Sequence, residues 1–371
     1  MSPITIVSPE DQKVTFIEVF FDLVFVFSVT QAVRLLHDGF DGIAIVQAIV
    51  VFRFVWRGWT QFTWSLNAAD TTHPIVQLGV LMATGVALFM AIAVPEAFGG
   101  RSLWFAVTYA LVRTIGMALY YLVALENLAL RSALRTFIVL SSGGLLAVLI
   151  GGFIGGTAQY WLWGLAIILD FVNAGVSGQA DVWNLHPEHF AERHGSFVII
   201  ALGETLIVAA SGITYTVLTS QLLIVAVLAV AITGGFWWIY FPRAMPTLEH
   251  ALASSHGSER SKMARDSYSI IHFLMLAGVI ASAAAIEEAI AHPTLSLPRA
   301  GTVAFALGII LFVGGMAAAL WRATGTLPLP RVIVSIVTGI VIVGSMGVDV
   351  MLTLGFGLLG IIAIGVLEQR T

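Results

Sequence analysis

The chain has 371 residues, of which 58% are hydrophobic and 10% charged, with a mean hydropathy of +0.96 and a formal net charge of −4. Ordinary soluble proteins are about 25% charged, so this composition excludes a water-soluble globule, and so mild a charge gives no footprint for nucleic acid. Cysteine is absent, which excludes disulfides, zinc–thiolate centres and iron–sulfur clusters.

Residues 1–15, with Pro3, Pro9, Glu10 and Asp11, lack the basic-then-apolar pattern of a signal peptide and read as a cytoplasmic N-terminal segment. Beyond them the apolar runs are about 20 residues long, too long for alternating barrel strands and right for helices that cross a bilayer. A window of roughly 20 residues predicts an all-α polytopic membrane protein. Its twelve spans fall at about 16–36, 43–64, 75–97, 102–125, 133–154, 159–178, 195–214, 219–241, 268–290, 299–321, 331–346 and 349–367. The last two divide one long apolar run at Gly344-Ser-Met-Gly-Val-Asp349. Gly and Pro punctuate the turns, as at His73-Pro74, Gly99-Gly100, His292-Pro293 and Leu327-Pro-Leu-Pro330. The pairs Gly151/Gly155 and Gly152/Gly156 predict a close neighbour for the fifth helix.

Basic residues fall unevenly between alternate loops. One side carries eleven, namely Lys13, Arg131, Arg135, Arg193, Arg243, Arg260, Lys262, Arg265, Arg322, Arg331 and Arg370, whereas the other carries Arg34, Arg101 and Arg299. The positive-inside rule then places both termini in the cytoplasm. An internal repeat is also expected. Asp22 matches Glu204 at an offset of 182, and Leu81-Met-Ala-Thr-Gly-Val86 matches Leu274-Met-Leu-Ala-Gly-Val279 at 193. Six spans per half predict two parallel six-helix repeats, residues 16–182 and 183–371, related by an axis along the membrane normal.

Ionisable residues inside such spans are costly and point to function by default. Glu18 and Asp22 lie four apart on one face of the first helix, with Asp22 the deeper. The second helix carries Arg53, Arg57, Gln61 and Trp64 on a shared face, and Trp56 is deep enough to stack on an Arg or a ligand. Arg113, Asp170 and Glu204 lie near mid-depth of the fourth, sixth and seventh helices. Three Arg against Asp22, Asp170 and Glu204 make a neutral set, and matched depth predicts Asp22 with Arg57 and Glu204 with Arg53 or Arg113. The set serves either as a salt-bridge network or as a substrate or proton pathway. His272 is a lone imidazole of the ninth span, a satisfied core histidine or a proton shuttle. At the cytoplasmic entry to the seventh helix, His186, His189 and Glu192 recur at i, i+3, i+6 beside Arg193. That spacing matches no established zinc motif, and Pro187 holds His186 outside the helix. No metal and no cofactor are expected, and no phosphate-binding loop is present.

Three stretches taken together carry a family resemblance: Glu18-Val-Phe-Phe-Asp-Leu-Val-Phe-Val-Phe27, Glu192-Arg-His-Gly-Ser-Phe-Val-Ile-Ile-Ala-Leu-Gly-Glu204 and Phe236-Trp-Trp-Ile-Tyr-Phe241. Their order and spacing resemble the bacterial low-temperature-requirement A family. The resemblance implies a multi-helix protein of the bacterial inner membrane, linked by name to growth in the cold, with charged motif positions at Glu18, Asp22, Glu192, Arg193 and Glu204. Where the family's second-helix pattern carries Asn, this chain has Gln61. It implies no defined reaction. The expected role is a secondary transporter or permease for a small molecule or ion, its one certain partner being the lipid bilayer. The alternatives are a membrane enzyme working on headgroups or small amphiphiles through Glu18, Asp22 and the His186–His194 cluster, and a sensor or scaffold.

Overall fold

The computed structural model describes residues 6–9, 11–36, 42–177, 183, 185–213 and 218–367. The first seven α-helices are α1 (Phe16–Val33), α2 (Gly42–Ala68), α3 (Pro74–Ala93), α4 (Ser102–Val123), α5 (Leu128–Ile154), α6 (Gly156–Ser177) and α7 (Pro187–Ile213). The rest are α8 (Ser220–Ile239), α9 (Met245–Ser254), α10 (Gly257–Met263), α11 (His272–Ala291), α12 (Arg299–Thr324), α13 (Leu329–Gly344) and α14 (Val350–Leu367). Short π-helices, Tyr240–Ala244 and Ala264–Ile271, join α8 to α9 and α10 to α11. Among the described residues the only β-pairing is an isolated bridge between Val7 and Ala69.

Each expected span coincides with a helix over most of its described residues. Among the described residues ten helices are long and apolar enough to cross a membrane, with Ser220–Ser254 and Gly257–Ala291 each counting as one continuous 35-residue run. The two expected stretches outside that set are α1, with 18 residues, as many as α14, and α13, with 16. At 1.5 Å per residue α13 rises only about 24 Å, less than a hydrocarbon core of about 30 Å. α7 begins eight residues before the expected start at 195. Pro187 occupies its first position, where a missing N–H costs nothing and the fixed φ suits a helix. His189, Glu192 and Arg193 therefore belong to the helix rather than to a loop.

The chain groups into two compact units, Met1–Ser196 with Leu252–Arg265, and Phe197–Ala251 with Asp266–Thr371. Within the first, α1 packs on α2 and α3, α4 on α2, α3 and α5, and α5 on α6. Within the second, α11, α12, α13 and α14 pack in succession and α14 returns to α8. The helices are apolar outside. In α3, Ile75, Leu78, Met82 and Phe89 are exposed while Ala83, Thr84, Ala87 and Ala91 are buried. Large apolar groups facing out and small groups facing in are the pattern of helices that meet in lipid, where close backbone approach drives association.

The glycines of α5 divide by role. A Cβ at Gly151 would meet Trp163 at 2.7 Å, and one at Gly152 would meet the Ser102 carbonyl oxygen at 2.9 Å, so these two permit the close approach expected of this helix. Gly155 and Gly156 have open space around them and φ of +69° and +58°, and so form the left-handed turn into α6 instead. A crossing closed by backbone on both sides lies in the second unit. There a Cβ at Gly278 of α11 would meet the Gly308 carbonyl oxygen and the Phe312 amide nitrogen, both at 2.6 Å, with only backbone to give way. Gly278→Ala should therefore lower the thermal stability of the purified protein in detergent by about 1–3 kcal/mol. Gly164→Ala, on α6 with nothing within 4 Å, should leave it unchanged or slightly raised.

Candidate functional site: two buried charge clusters

The first cluster forms where the N-terminal turns of α1 and α7 meet the C-terminal end of α2. Glu18 and Asp22 stand on one face of α1, and His189 and Arg193 stand at the same four-residue spacing on α7. Arg193 bridges both acids: its Nη1 donates to Glu18 Oε1 at 2.8 Å and its Nη2 to Asp22 Oδ1 at 2.6 Å. His189 Nε2 lies 3.1 Å from Glu18 Oε1. Because residue 18 pairs with 189 and 22 with 193, the two helices run parallel through these turns. All four side chains are fully buried, at 0–1% exposure.

Backbone geometry fixes the histidine. Asn67, near the end of α2, accepts from the His186 amide at 2.7 Å and donates through Nδ2 to the His186 carbonyl at 2.9 Å. That orients its amide so that Nδ2 also donates to His189 Nδ1 at 3.0 Å. An Nδ1 that accepts leaves the ring proton on Nε2, aimed at Glu18. Glu18 Oε2 further accepts from the amide and hydroxyl of Thr15, each at 2.9 Å, which ties the carboxylate to the start of α1. The two acids thus differ. Glu18 is fully engaged, whereas Asp22 uses only Oδ1, which also accepts from Trp59 Nε1 at 2.7 Å. Asp22 Oδ2 and Arg193 Nε are buried without hydrogen-bond partners.

Trp59, one of the tryptophans of the second helix, is the aromatic of this cluster. Its ring lies 5.8 Å from the Arg193 guanidinium and 4.9 Å from His194, and Trp56 stacks on it at 4.8 Å rather than on an Arg. The N-terminal segment folds back over the same end. Ser8 Oγ lies 2.8 Å from His186 Nε2, the Val14 amide donates to Glu192 at 3.3 Å, and Gln12 donates to the Leu66 carbonyl at 3.0 Å. His186, His189 and Glu192 therefore serve separate partners and do not converge. Among the described residues no three His, Asp or Glu are placed to hold a metal. An open depression of about 780 Å³ lies between Val7–Thr15 and Asp70–Thr72, and Thr15, which bonds Glu18, is in its wall.

The second cluster lies at mid-helix, also in the first unit. Asp170 Oδ1 of α6 takes Arg57 Nε at 3.2 Å and Arg113 Nη1 at 3.5 Å. Arg113 is held on every side. Its Nε donates to Gln61 Oε1, Nη1 to the Tyr109 hydroxyl at 2.7 Å and Nη2 to Ser141 at 3.2 Å, while Gln61 returns a bond to the Arg113 carbonyl at 2.8 Å. Asn173 completes the shell by donating to Ser141 at 2.9 Å and to the Phe137 carbonyl at 3.0 Å. Arg53 rests 4.7 Å over the Phe171 ring and Arg57 5.3 Å over Phe137.

The pairing thus departs from the sequence expectation. Asp22 pairs with Arg193 rather than Arg57, and Arg57 and Arg113 turn to Asp170. Arg193 had counted as a loop cation, but its helix begins earlier and buries it against the two acids. Glu204 lies half-buried in the α7 stretch that belongs to the second unit. His272, in the second unit, is a satisfied core histidine. Its Nδ1 donates to the Ser267 carbonyl at 2.7 Å, its Nε2 faces the Tyr240 hydroxyl at 2.9 Å, and Tyr268 stacks on it at 5.1 Å.

Fold and site together define a polytopic helical membrane protein built around buried ion pairs on its spanning helices. The sequence matches the family described as bacterial low temperature requirement A protein (LtrA) over residues 13–366, nearly the whole chain, and the protein belongs to that family. An uncharacterized protein of Rhizobium meliloti (strain 1021), RA0937, is 29% identical over 321 residues, covering 82% of this chain and 76% of that one. No solved structure matches.

The Arg193 bridge yields a stability test. Arg193→Met leaves two buried carboxylates with no cation and should cost about 3–5 kcal/mol, read as thermal unfolding in detergent. The triple variant Glu18→Gln, Asp22→Asn, Arg193→Met removes the charges together and should recover most of that loss. A single variant as stable as the wild type would show that the pair contributes nothing to the fold.

Proposed function

We propose that the protein is a secondary transporter or permease of the bacterial cytoplasmic membrane, built as two six-helix halves, in which Asp22 is the ion-coupling acid. The observation that carries this reading is the asymmetry between Glu18 and Asp22. Both share Arg193, yet Glu18 is saturated by Arg193, His189 and Thr15, while Asp22 keeps Oδ2 buried and without a hydrogen bond. A purely structural pair would gain by satisfying that oxygen, since a buried unpaired acceptor costs about 1–3 kcal/mol. An acceptor held open inside a spanning bundle is a place to take up a proton, and carboxylates in this setting mark proton relays. The depression walled by Thr15 leads from outside the helices to the partner of Glu18 and so supplies an approach. Without a phosphate-binding loop, the energy source would be an ion gradient.

The enzyme reading has less support, because His186 and His189 are occupied by Ser8, Asn67 and Glu18. Orientation follows the surplus of Lys and Arg. With Arg193 removed from the loop count the bias keeps its direction, which puts the Glu18 end of α1 on the cytoplasmic side.

The test is reconstitution into vesicles that contain a trapped pH indicator, with a pH gradient imposed and small metabolites, cations and anions added in turn. A permease of this type should dissipate the gradient when its substrate is present, and Asp22→Asn should abolish that response while the protein remains folded. Substrate-driven proton movement undiminished in Asp22→Asn would remove Asp22 from the mechanism, and no response to any class of solute would count against transport itself.

A further inference from the structure

The mid-helix cluster is out of electrical balance. Arg53, Arg57 and Arg113 bring three fixed positive charges, and among the described residues Asp170 is the one carboxylate within 4.0 Å of any of them. Arg113 spends its donors on Gln61, Tyr109, Ser141 and Asp170. Arg57 gives only Nε to Asp170, so both of its terminal nitrogens are unused, and it keeps 8% of its surface accessible. Among the described residues Arg53 makes no hydrogen bond and no ion pair, only its contact with the face of Phe171. Because Arg53 and Arg57 stand one turn apart on α2, their like charges repel along the helix. A half-buried guanidinium left this way at mid-helix of a spanning segment is expensive, and a structural role alone would be served better by an apolar or amide side chain.

We propose that Arg53 and Arg57 form a binding site for a small free oxyanion, a carboxylate or phosphate group, with Arg113 and Asp170 as its fixed support. The Cζ atoms of the two guanidiniums lie 4.7 and 5.3 Å over the Phe171 and Phe137 rings, which take up none of their N–H groups in a conventional hydrogen bond. The N–H groups left over form a planar fork that matches paired oxygens better than a spherical halide. Position argues against a lipid headgroup as the source. Arg53 is the twelfth of 27 residues in α2 and Arg113 the twelfth of 22 in α4, so both sit at mid-helix. At 1.5 Å per residue Arg53 lies about 17 Å from the nearer helix end, well inside a hydrocarbon core about 30 Å thick. The site rests on the permease reading for what the anion does there, so binding and flux are measured separately.

The probes are sodium acetate, sodium phosphate and sodium chloride at equal ionic strength, added to the purified full-length protein in detergent, with thermal unfolding as the readout. A separate arm adds phosphatidylglycerol or phosphatidylcholine to the micelles. Acetate or phosphate should raise the melting temperature where chloride does not, and Arg53→Gln should weaken that binding about tenfold or more, as loss of a charge-assisted hydrogen bond does. The variant itself should fold, since Arg53 has no bond to lose. If it does not, line broadening of 13C-labelled acetate by the unaltered protein, relieved by phosphate, tests the same site. Equal shifts with chloride, full oxyanion binding in Arg53→Gln, or a response to phosphatidylglycerol alone would each overturn the proposal. Oxyanion binding without flux would keep this site and remove the permease reading, whereas flux with oxyanion binding unaffected by Arg53→Gln would do the reverse.

Discussion

A hydrocarbon interior offers a charge no water, so each ionised group in a spanning helix must bring its partner from another helix. Arg193 meets that demand for two acids at once, and in doing so it ties α7 to α1 in parallel register, turn for turn. The surrounding contacts follow from that tie. Asn67 holds the entry of α7 and the tautomer of His189, Thr15 anchors Glu18 at the start of α1, and the N-terminal segment closes over the end of α2. The cluster holds two carboxylates to one guanidinium, and the mid-helix cluster holds three guanidiniums to one carboxylate. One unit thus contains two oppositely biased sites, one at the helix ends and the other at mid-depth.

Much of this was legible in the sequence. Length and hydrophobicity of the apolar runs place the helices, because a bilayer dictates both quantities. Glu18, Asp22, Arg53, Arg57, Arg113 and Asp170 stand out because a charge in such a run is too costly to persist without a partner or a task. Which charge meets which was not legible. Matched depth predicted Asp22 with Arg57, but depth leaves the rotation of each helix about its axis undetermined. A clue was present in the spacing. Glu18 and Asp22 are four apart, and so are His189 and Arg193, acids facing bases on two helices that begin at the same end. Reading His186, His189 and Glu192 as one group hid that match, as did counting Arg193 among the loop cations.

The uncharged partners left no pattern that tied them to the charges, even where, like Trp59, they belong to the Trp-rich run of the second helix. Trp59, Asn67, Tyr109, Ser141 and Asn173 each place a polar atom on a charged one or on its support. Trp, Asn, Tyr and Ser also serve as interface anchors, caps and close-packing residues in membrane helices, so type and position alone do not separate these roles. Only the crossing of α2, α4, α5 and α6 brings the partners of Arg113 and Asp170 into one shell.

The two π-helical turns carry a mechanical consequence. Tyr240–Ala244 and Ala264–Ile271 flank the His272 ring, from which Tyr240 and Tyr268 both hang. A π turn accommodates one more residue than an α turn, so each segment stores a residue of slack. Passing that slack along the helix would turn the residues between its old and new positions by about 100°, one residue's share of an α-helical turn. Asp266 lies inside the second slack segment and is held 3.0 Å from Arg322 of α12. Such a shift would carry Asp266 out of reach of Arg322, so this half-buried ion pair favours the register in which Tyr240 and Tyr268 meet His272.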